Sequence, residues 1–401
     1  MRLAYLCADL GVPLYGNKGA SIHVRELSRA LQELGHDVLI VCGRLGGSAP
    51  EGFDVPLVEF PLEELPPSVR APDGSRAVRA AAYASALPAR ALPALRDFRP
   101  DVLYERYALN GTTGLALAAD LGIPHVLEVN APVVDEDLAH RGLTSDASVR
   151  ALERTIVTHA DRIVAVSEEL KRWLVGLGVE AGRITVLANA VDPGRFEVEA
   201  ETREDARRQL GVDGRPVVAF VGTLKPWHDP AILVRSLGVL RARNAAPQLL
   251  LVGDGPERER LEALARQESL SPLVTFTGSV AHDEVPAYLA AADVGVATYH
   301  PDTGHYFSPL KLFEYLAAGL PVVAAELGEI PHCVRRGETG LLYPPGDAEA
   351  LADALATLIA DREHAAALGR NGREHVLRHH TWRSNARAVT ALAAELTEQG
   401  S

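Results

Sequence analysis

Short apolar runs alternate with helix-length amphipathic stretches along almost the whole chain, and this alternation constrains the fold more than any other feature of the sequence. RLAYLCA is followed by ASIHVRELSRALQELGH, and DVLIVC begins the next strand. The remaining predicted strands are DVLYERY, PHVLEVN, RIVAVS, RITVLAN, PVVAFVG, PQLLLVG, LVTFTG, DVGVAT, PVVAA and TGLLYP. Such alternation is typical of parallel sheets with helices on both faces, so the sequence predicts an α/β protein.

The alternation is interrupted once, which predicts two domains. After RITVLAN, near residue 190, a charge-rich segment at 192–215 precedes the restart at PVVAFVG. A chain of 401 residues is long enough for two hydrophobic cores. We predict doubly wound Rossmann-like domains at residues 1–192 and 193–375, connected by a linker with a short helix. Residues 376–401 are predicted to form a helix that packs back on the first domain.

Composition narrows the class of protein. A net charge of −13 argues against nucleic acid as the main partner, and no run of about 20 apolar residues is present to span a bilayer. The chain enters a strand pattern directly, without the apolar core and cleavage site of a signal peptide, so we expect a cytoplasmic protein. Cys7, Cys42 and Cys333 are widely spaced, which indicates buried thiols rather than disulfides or a zinc site.

Open parallel sheets bind ligands beside the carboxyl ends of their strands, so the loops that follow strands are candidate sites. HYFSPLKLFEYLAAGLPVVA, residues 305–324, is the most informative and predicts a loop, a helix and a buried strand. Ser308 is a good N-cap and Pro309 suits the first helical position. The amides of Leu310 and Lys311 are then orphan donors at a positive helix end, which favours an anion. A well-capped surface helix without a ligand is the alternative.

A second glycine-rich loop, GVPLYGNKGASIHV, lies ahead of the first helix. Asn17 separates Gly16 from Lys18, and no Ser or Thr follows the lysine directly, so the loop is not a P-loop. It does not fit GxGxxG either, which disfavours a dehydrogenase. A loop that approaches a phosphate or an acceptor is favoured over a plain turn.

Three further loops follow strands of the second half. In FVGTLKPWHDP, Lys225 and His228 precede a helix, where a cation suits a diphosphate; a packed Trp beside an incidental lysine is nearly as good an interpretation. LVGDGPERERL offers Gly253 for a tight turn, with Pro256 starting the next helix. FTGSVAHDEV has small residues that let Val280 present its backbone to a flat base.

Taken in order, these loops resemble the nucleotide-sugar domain of retaining glycosyltransferases of family four, which have the GT-B fold. The matching segments of the second half are FVGTLKPWH, VGDGP, FTGSV, AAADVGVAT and SPLKLFEYLAAGLPVVA. The first half resembles the amino domain of the family through KGASIHVRELSRALQELGHDV and LANAVDPGRF. The resemblance implies two Rossmann-like domains facing across a cleft, a nucleoside-diphosphate sugar as donor, and transfer of the sugar with retention of its anomeric configuration.

The resemblance also implies roles for individual residues. Gly19 matches a glycine whose backbone approaches the diphosphate, and Val280 matches the position whose backbone holds the base. Leu310 and Lys311 match helix-start amides that face the phosphates and the sugar. Glu314 matches the second Glu of the E-x7-E motif, which holds the ribose hydroxyls.

Five positions depart from the family pattern. Tyr306 stands in place of the first Glu, which contacts the donor sugar, Thr223 in place of an Arg, and His228 in place of a Lys. Asp229 replaces a common Gly, and Asn130 lies near the place where many relatives have a His. These departures bear on which donor sugar is bound more than on whether a sugar is transferred.

A departing nucleoside diphosphate accumulates negative charge, which amides and lysines are predicted to stabilise without a metal. The DED triplet at 135–137 and the trio His300, Asp302 and His305 are therefore interpreted as solvated polar loops rather than metal ligands. The resemblance implies attack on the same face of the sugar, helped by the leaving phosphate. No cofactor is expected.

Acceptor residues give a weaker signal. Glu105 and Arg106 in LYERY, with Glu128 and Asn130 in LEVN, lie at strand ends where they suit a sugar-like acceptor. An ion pair of Arg106 with Glu128 that serves structure alone is an equally good interpretation. Residues 65–100 carry six arginines against two aspartates, which suits a membrane surface or an anionic acceptor, although an ordinary solvated helix is favoured.

We therefore predict a retaining, metal-independent glycosyltransferase that uses a UDP-sugar, or next a GDP-sugar, and a hydroxyl acceptor such as a glycan, a lipid-linked or a small molecule. The alternatives are a glycosyl phosphorylase or a sugar-nucleotide epimerase of the same fold, and a non-catalytic nucleotide-sugar-binding protein. The predicted catalytic residues are Lys225, His228 and Asn130. The predicted donor contacts are Gly19, Thr223, Gly253, Val280, Tyr306, Ser308, Leu310, Lys311 and Glu314. The predicted acceptor contacts are Lys18, Glu105, Arg106 and Glu128.

Overall fold

A computed structural model of the chain describes residues 1–65, 75–140, 143, 147–197, 200–212, 214–302 and 306–399. The chain divides into two compact units, one formed by Met1–Ala188 with Trp382–Ser401 and the other by Asn189–Thr381. The first unit therefore ends four residues before the predicted boundary at 192, and the chain returns to it at Trp382 rather than at residue 376.

The first unit is built on a parallel sheet of seven strands in the order β3-β2-β1-β4-β5-β6-β7 among its described residues. The strands are β1 Arg2–Cys7, β2 Asp37–Cys42, β3 Leu57–Glu59, β4 Val102–Arg106, β5 His125–Val129, β6 Arg162–Ala165 and β7 Ile184–Val186. The helices are α1 Gly19–Glu33, α2 Arg76–Phe98, α3 Thr113–Leu121, α4 Val133–His140, α5 Ala147–His159 and α6 Glu168–Gly176.

The second unit has a parallel sheet of six strands in the order β10-β9-β8-β11-β12-β13 among its described residues. The strands are β8 Val217–Val221, β9 Gln248–Val252, β10 Val274–Gly278, β11 Val294–Ala297, β12 Val322–Ala325 and β13 Gly340–Tyr343. The helices are α7 Ala200–Leu210, α8 Ala231–Ala242, α9 Arg258–Gln267, α10 Val285–Ala291, α11 Leu310–Ala317, α12 Ile330–Cys333, α13 Ala348–Ala360 and α14 Arg362–His379. The last helix of the chain, α15 Trp382–Gln399, belongs to the first unit.

Both sheets reverse their strand order once, and these reversals determine where ligands can bind. Every strand predicted from the sequence is present, and the additional strand is the short edge strand β3. The connections run in opposite directions from β1 and β4 in the first sheet, and from β8 and β11 in the second. Loops that leave such neighbouring strands diverge and open a crevice at the carboxyl edge. The segments after β1, β4, β8 and β11 are therefore the candidate functional loops.

The segment at 192–215, predicted to be a linker, is instead packed on the second unit. In α7, Arg203 donates to one carboxylate oxygen of Asp293 at 2.6 Å and Arg207 donates to the other at 3.1 Å. Asp293 immediately precedes β11, so these ion pairs attach α7 to the sheet at the amino-terminal end of β11.

The terminal helix α15 packs against α1, within the first unit. The ring of Trp382 meets the ring of His23 edge-on, with centroids 4.9 Å apart, and the amide of Asn385 donates to the carbonyl of Ala188 at 2.8 Å. The buried apolar stripe of α15 consists of Ala386, Val389, Ala393 and Leu396. Its spacing of three to four residues is that of one helix face.

The arginine-rich stretch at 65–100 forms α2 from residue 76 onward, and residues 66–74 lie outside the described part of the chain. Arg76 pairs with the buried Asp137 at 3.2 Å, and Arg90 pairs with Glu64. These pairs support the ordinary solvated helix rather than a surface of free positive charge. None of the described helices is long and apolar enough to cross a bilayer.

Candidate functional site

The backbone that follows the neighbouring strands β8 and β9 requires glycine. Gly222, directly after β8, has a φ of +138°, and a Cβ there would lie 3.0 Å from Lys311 Nζ. Gly253, directly after β9, has a φ of +137°, and its Cβ would lie 2.1 Å from the carbonyl oxygen of Gly222. Leu224 N donates to Asp254 O at 2.9 Å, so the two loops run side by side at backbone contact distance. The tight turn predicted at Gly253 lies two residues later, because the N–H of Arg258 donates to the carbonyl of Gly255 at 3.1 Å, whereas Gly253 forms a β-bridge with Gly278.

The start of α11 differs from the predicted cap. The helix begins at Leu310, with Pro309 as the N-cap residue. The hydroxyl of Ser308 instead accepts a hydrogen bond from the backbone N–H of Asn189 at 2.9 Å, so the prediction that Ser308 caps the helix is wrong. The amides of Leu310 and Lys311 still lie in the first turn, where an α-helix offers no intrahelical acceptor.

Lys311 does not extend into solvent as a free cation. Its side chain is buried, and Nζ has no hydrogen-bond partner among the described residues. The ammonium lies 4.1 Å from the ring centroid of Phe220 and 5.5 Å from that of Tyr299, contacts that favour the charged form. Burial lowers the pKa of Lys311 to about 7, although Glu314 acts in the opposite direction. The full charge that the sequence suggested is therefore only partly present at neutral pH.

His228 is held as a neutral ring. Its Nδ1 lies 2.6 Å from the carbonyl oxygen of the exposed Thr223, so Nδ1 donates and Nε2 is left as an acceptor. Burial, together with repulsion from Lys311 and Lys225, lowers the pKa of His228 to about 3. His228 consequently brings no positive charge to the position where the family has a Lys. The cation of this loop is Lys225, whose Nζ lies 5.0 Å from the ring of Trp227.

Two further observations in these loops concern the backbone at Asp229 and at Pro256. Asp229 has a φ of +42°, in the left-handed region, which explains why glycine is common at this position in the family. Pro256 was predicted to start a helix, but α9 begins at Arg258 with Glu257 at the N-cap, so that prediction is wrong.

Glu314 is a buried carboxylate with a partner that the sequence did not suggest. Its Oε1 lies 2.9 Å from Nε2 of His282, and each side chain is less than one tenth exposed. His282 belongs to the loop after β10, two residues beyond Val280. The pair thus brings the predicted base-contacting loop next to α11. The sequence shows only a histidine and a glutamate that could pair. They are 32 positions apart, so no local pattern indicates their contact.

The approach to α11 is aromatic. Phe307 stacks on Tyr299 with centroids 4.5 Å apart, and Tyr306, in place of the family Glu, lies beside Phe307. His300 is exposed and its Nδ1 is 3.6 Å from a carboxylate oxygen of Asp302; His305, the third member of the trio considered as metal ligands, lies outside the described residues.

The glycine-rich loop of the first unit is folded back on itself. Gly11 N donates to the carboxylate of Asp9 at 2.7 Å, and the exposed Lys18 donates to the carbonyl of Gly11 at 3.4 Å. Lys18 is the N-cap residue of α1, and the exposed Gly19 begins that helix. Both residues therefore lie at the carboxyl edge of the first sheet, as predicted from their position after β1.

Glu128, at the end of β5, is fully buried and accepts hydrogen bonds from five side chains. The donors are Tyr5, His23, Tyr104, Arg106 and Asn130. Burial alone would raise the pKa of Glu128, but His23, Arg106 and Tyr104 together hold it well below its usual range. The structural ion pair between Arg106 and Glu128 is confirmed, at 3.0 Å. A contact of Glu128, Arg106 or Asn130 with an acceptor or the reacting sugar stays a prediction.

Glu105 is also fully buried, and it packs between β4 and α3. It contacts Nε2 of His125 at 2.9 Å and accepts from the backbone N–H of Gly114 at 3.2 Å. A Cβ on Gly114 would lie 2.1 Å from the carboxylate, so the helix approaches Glu105 as closely as its backbone allows. These contacts favour a structural role, and acceptor binding by Glu105 stays a prediction.

The acidic triplet at 135–137 lies in α4 with Asp137 buried, so the prediction that it forms a solvated loop is wrong. Asp135 accepts from Arg150 at 2.6 Å and from the indole N–H of Trp173 at 3.2 Å, while Asp137 pairs with Arg76. No group of three or more His, Cys, Asp or Glu side chains in the described ranges is arranged to hold a metal ion.

The fold places the chain among α/β proteins with two doubly wound units, and comparison with known sequences identifies the family. Residues 17–195 match the family described as Glycosyltransferase Family 4, and residues 215–361 match that described as Glycosyl transferases group 1. The chain is 31% identical over 313 residues to a D-inositol 3-phosphate glycosyltransferase of Corynebacterium jeikeium (strain K411), covering 75% of this chain and 73% of the relative. The chain belongs to glycosyltransferase family 4.

Further relatives and solved structures agree with this assignment. A GDP-mannose-dependent alpha-(1-6)-phosphatidylinositol monomannoside mannosyltransferase of Mycobacterium tuberculosis is 33% identical over 252 residues, or 62% of this chain. That match spans 64% of the mycobacterial relative, less than two thirds of its length. HepE of Anabaena in complex with UDP and glucose has a TM-score of 0.79 at 19% identity, covering 99% of this chain and all of that one. Sucrose-phosphate synthase from Thermosynechococcus elongatus has a TM-score of 0.77 at 26% identity, with 100% of each chain covered. The fold is GT-B, as the sequence predicted.

Proposed function

We propose that the protein transfers a sugar from a nucleoside-diphosphate sugar to a hydroxyl acceptor, with retention of anomeric configuration and without a metal. The observation that carries this proposal is the arrangement at the β8–β11 switch point. There the Gly222 turn, the first turn of α11 and the buried carboxylate of Glu314 follow two neighbouring strands of one sheet. Amides at a helix start bind phosphate, and a carboxylate binds the hydroxyls of a ribose.

Each group has a separate task in the proposed reaction. The amides of Leu310 and Lys311 and the ammonium of Lys225 stabilise the charge that builds on the leaving diphosphate. Glu314 holds the ribose. The bond between the anomeric carbon and the diphosphate oxygen breaks, the acceptor oxygen forms the new bond on the same face, and its proton passes to the leaving phosphate.

The donor base and the acceptor class are proposed from the relatives. The name of the mycobacterial mannosyltransferase supports a GDP-sugar, whereas the sequence favoured a UDP-sugar, so both belong in the first test. Both relatives are named for inositol-containing acceptors, which supports an inositol-bearing hydroxyl compound as the first acceptor class. The cytoplasmic location stays a prediction of the sequence.

The test has two stages. Thermal stabilisation by GDP, UDP, ADP and dTDP, each with and without EDTA, ranks the bases, because a ligand that binds the folded state raises its stability. In the second stage, turnover of GDP-mannose and UDP-glucose with inositol 3-phosphate is measured as release of the nucleotide. The anomeric configuration of the product is determined by NMR.

The outcomes separate the proposed function from its alternatives. Acceptor-dependent release with a retained glycosidic product supports the proposal. Nucleotide release without an acceptor would point to the epimerase, sugar transfer that requires free phosphate to the phosphorylase, and binding without turnover to the non-catalytic protein. Loss of activity in EDTA would contradict metal independence.

A further inference from the structure

Glu314 uses one carboxylate oxygen within the protein and leaves the other available. Oε1 lies 2.9 Å from Nε2 of His282. In the described part of the chain, no other side chain or amide donates to this carboxylate. An ionised carboxylate can only accept, so Nε2 of His282 carries the proton of this hydrogen bond. The bond fixes the rotation of the carboxylate and thereby the direction of Oε2.

The His282 side chain is buried beside Phe196, and contacts of its neighbours in the chain fix the backbone around it. Its ring lies 6.4 Å from the ring of Phe196, and its side chain is 9% exposed. On one side of it, the backbone N–H of Ala281 donates to Glu284 at 2.8 Å. On the other side, Asp283 forms an ion pair with Arg195. A histidine anchored in this way can determine where its partner points.

The Glu314–His282 pair lies at the carboxyl edge of the second sheet, where a ligand is expected. Glu314 lies one turn into α11, on the helix that begins at the β8–β11 switch point. His282 comes from the loop after β10, which also carries Val280. With the roles that the family resemblance implies for Val280 and Glu314, a nucleoside along this edge would have its base at the Val280 loop and the two hydroxyls of its ribose at the carboxylate.

We propose that His282 is a positioning residue, which orients Glu314 so that its second oxygen accepts a hydrogen bond from a ribose hydroxyl of the bound nucleoside diphosphate. This inference rests on the proposed function, because it requires a ribonucleotide at this edge. It adds a determinant of discrimination between ribo- and deoxyribonucleotides that lies 32 positions away from the acidic residue itself.

The test compares ligands that differ by a single hydroxyl. Dissociation constants are measured by calorimetry for GDP, 2′-deoxy-GDP and 3′-deoxy-GDP, and for the same uridine series. The wild type is expected to bind the ribonucleotide about 10-fold more tightly than one of its deoxy forms, the magnitude of a hydrogen bond to a charged group. His282→Phe keeps a ring beside Phe196 but removes the donor, and it should reduce this preference to about 2-fold or less.

Three further variants make the result specific. His282→Gln retains an N–H donor and should restore part of the preference. Glu314→Gln should lose the preference, and adding His282→Phe to it should change the preference no further, because both act on one interaction. His332→Phe, at an exposed histidine of the same unit, is the matched control and should behave as the wild type. If His282→Phe does not fold, His282→Asn, whose side chain is too short to reach the carboxylate, carries the same measurement.

The outcomes distinguish this inference from the proposed function. Equal weakening of ribo- and deoxyribonucleotides in His282→Phe, with the preference intact, would overturn the positioning role and leave the proposed function standing. A wild type that binds no GDP or UDP would overturn both. A wild type that binds them without any preference for the ribose hydroxyls would overturn the positioning role together with the assignment of Glu314 to the ribose.

Discussion

Glu128 in the first unit and Glu314 in the second are both buried carboxylates near the carboxyl edge of a parallel sheet, but they differ in how many donors surround them. Glu128 accepts hydrogen bonds from five side chains, whereas Glu314 contacts only His282 in the described residues. A carboxylate offers about four acceptor positions, so the acceptor positions of Glu128 are filled within the protein in this structure. The contrast teaches that burial of a charge does not by itself mark a site, whereas unused bonding capacity does.

The buried cations show the same contrast. The guanidinium of Arg106 is paired with Glu128, and this pairing raises the pKa of Arg106 against the effect of burial. The ammonium of Lys311 has aromatic rings as neighbours and no hydrogen-bond partner in the described chain. We therefore expect substitutions around Arg106 and Glu128 to lower stability, and removal of the unpartnered ammonium of Lys311 to raise it.

The largest effect is expected for Glu128→Gln. Arg106 would lose its counter-charge, and the free energy of unfolding should fall by about 3–5 kcal/mol. Urea denaturation at pH 7 measures the loss, with Glu33→Gln at an exposed position of α1 as the control. The folded pKa of Glu128 is lowered, so its contribution is present above the unfolded pKa and disappears as the pH falls toward the folded value. A loss no larger than that of the control would break the comparison.

The next largest effect is expected for Lys311→Met. Removing an unpartnered buried amine should raise the free energy of unfolding at pH 7 by about 1–2 kcal/mol. Because the folded pKa of about 7 lies below the unfolded 10.5, the unfolded state binds more protons between these values. Wild-type stability should therefore rise relative to the variant from pH 7 toward pH 10, by at most about 1.4 kcal/mol per pH unit.

Denaturation of wild type and variant at pH 7 and at pH 9.5 checks this prediction. Lys171→Met, on the surface helix α6, provides the matched lysine and should show no such trend. A variant that is less stable than the wild type at both pH values would mean that Lys311 contributes a favourable interaction in the folded ligand-free protein.

A smaller change in free energy, confined to ligand binding, is expected for Glu314→Gln. Loss of the charge should weaken binding of the preferred nucleoside diphosphate by about 10-fold. Stability without ligand should change by less than about 1 kcal/mol, because a single protein contact is affected. Calorimetric titration and urea denaturation of the same samples separate the two quantities, and Glu338→Gln at an exposed position serves as the control. A stability loss comparable to that of Glu128→Gln, with normal affinity, would reverse the contrast between the two units.

The smallest effect is expected for His228→Gln. The pKa of His228 is lowered to about 3, so the ring stays neutral and nucleotide affinity should show no histidine titration between pH 5.5 and 8. The variant should bind within about 3-fold of the wild type, since no charge is removed. A pH series of dissociation constants tests this. A step near pH 6.5 in the wild type that is absent in the variant would show that the bound diphosphate protonates the ring.

Sequence reasoning succeeded where local pattern determines structure. Strands of a parallel sheet are buried on both faces and therefore appear as continuous apolar runs, such as VVAFV in β8 and QLLLV in β9. The strand that was missed, β3, is only half-buried and lies between Pro56 and Pro61, so no continuous apolar run marks it. A turn after β9 was predictable because glycines that follow a buried strand have a local cause.

The sequence predicted which loops follow the strands, but it did not predict the contacts that the candidate residues make. Ser308 was assigned as a cap from residue type, yet its hydroxyl serves Asn189, 119 positions away. Lys311 was expected to be a free cation. The residues next to it in the sequence do not reveal that the rings of Phe220 and Tyr299 lie beside its ammonium. Such contacts depend on which strands become neighbours, and a single sequence contains that information only indirectly.

The first unit is interrupted by the whole of the second, and this has a consequence for how the chain is made. A ribosome delivers Asn189–Thr381 as one uninterrupted stretch, so all residues of the second unit are made before the last residues of the first unit. The first unit, although synthesised earlier, cannot seat Trp382 against His23 until the final helix has appeared. Until α15 has been made, the face of α1 that it contacts in the folded protein stays uncovered. The half of the protein that is translated first is therefore the half that is completed last.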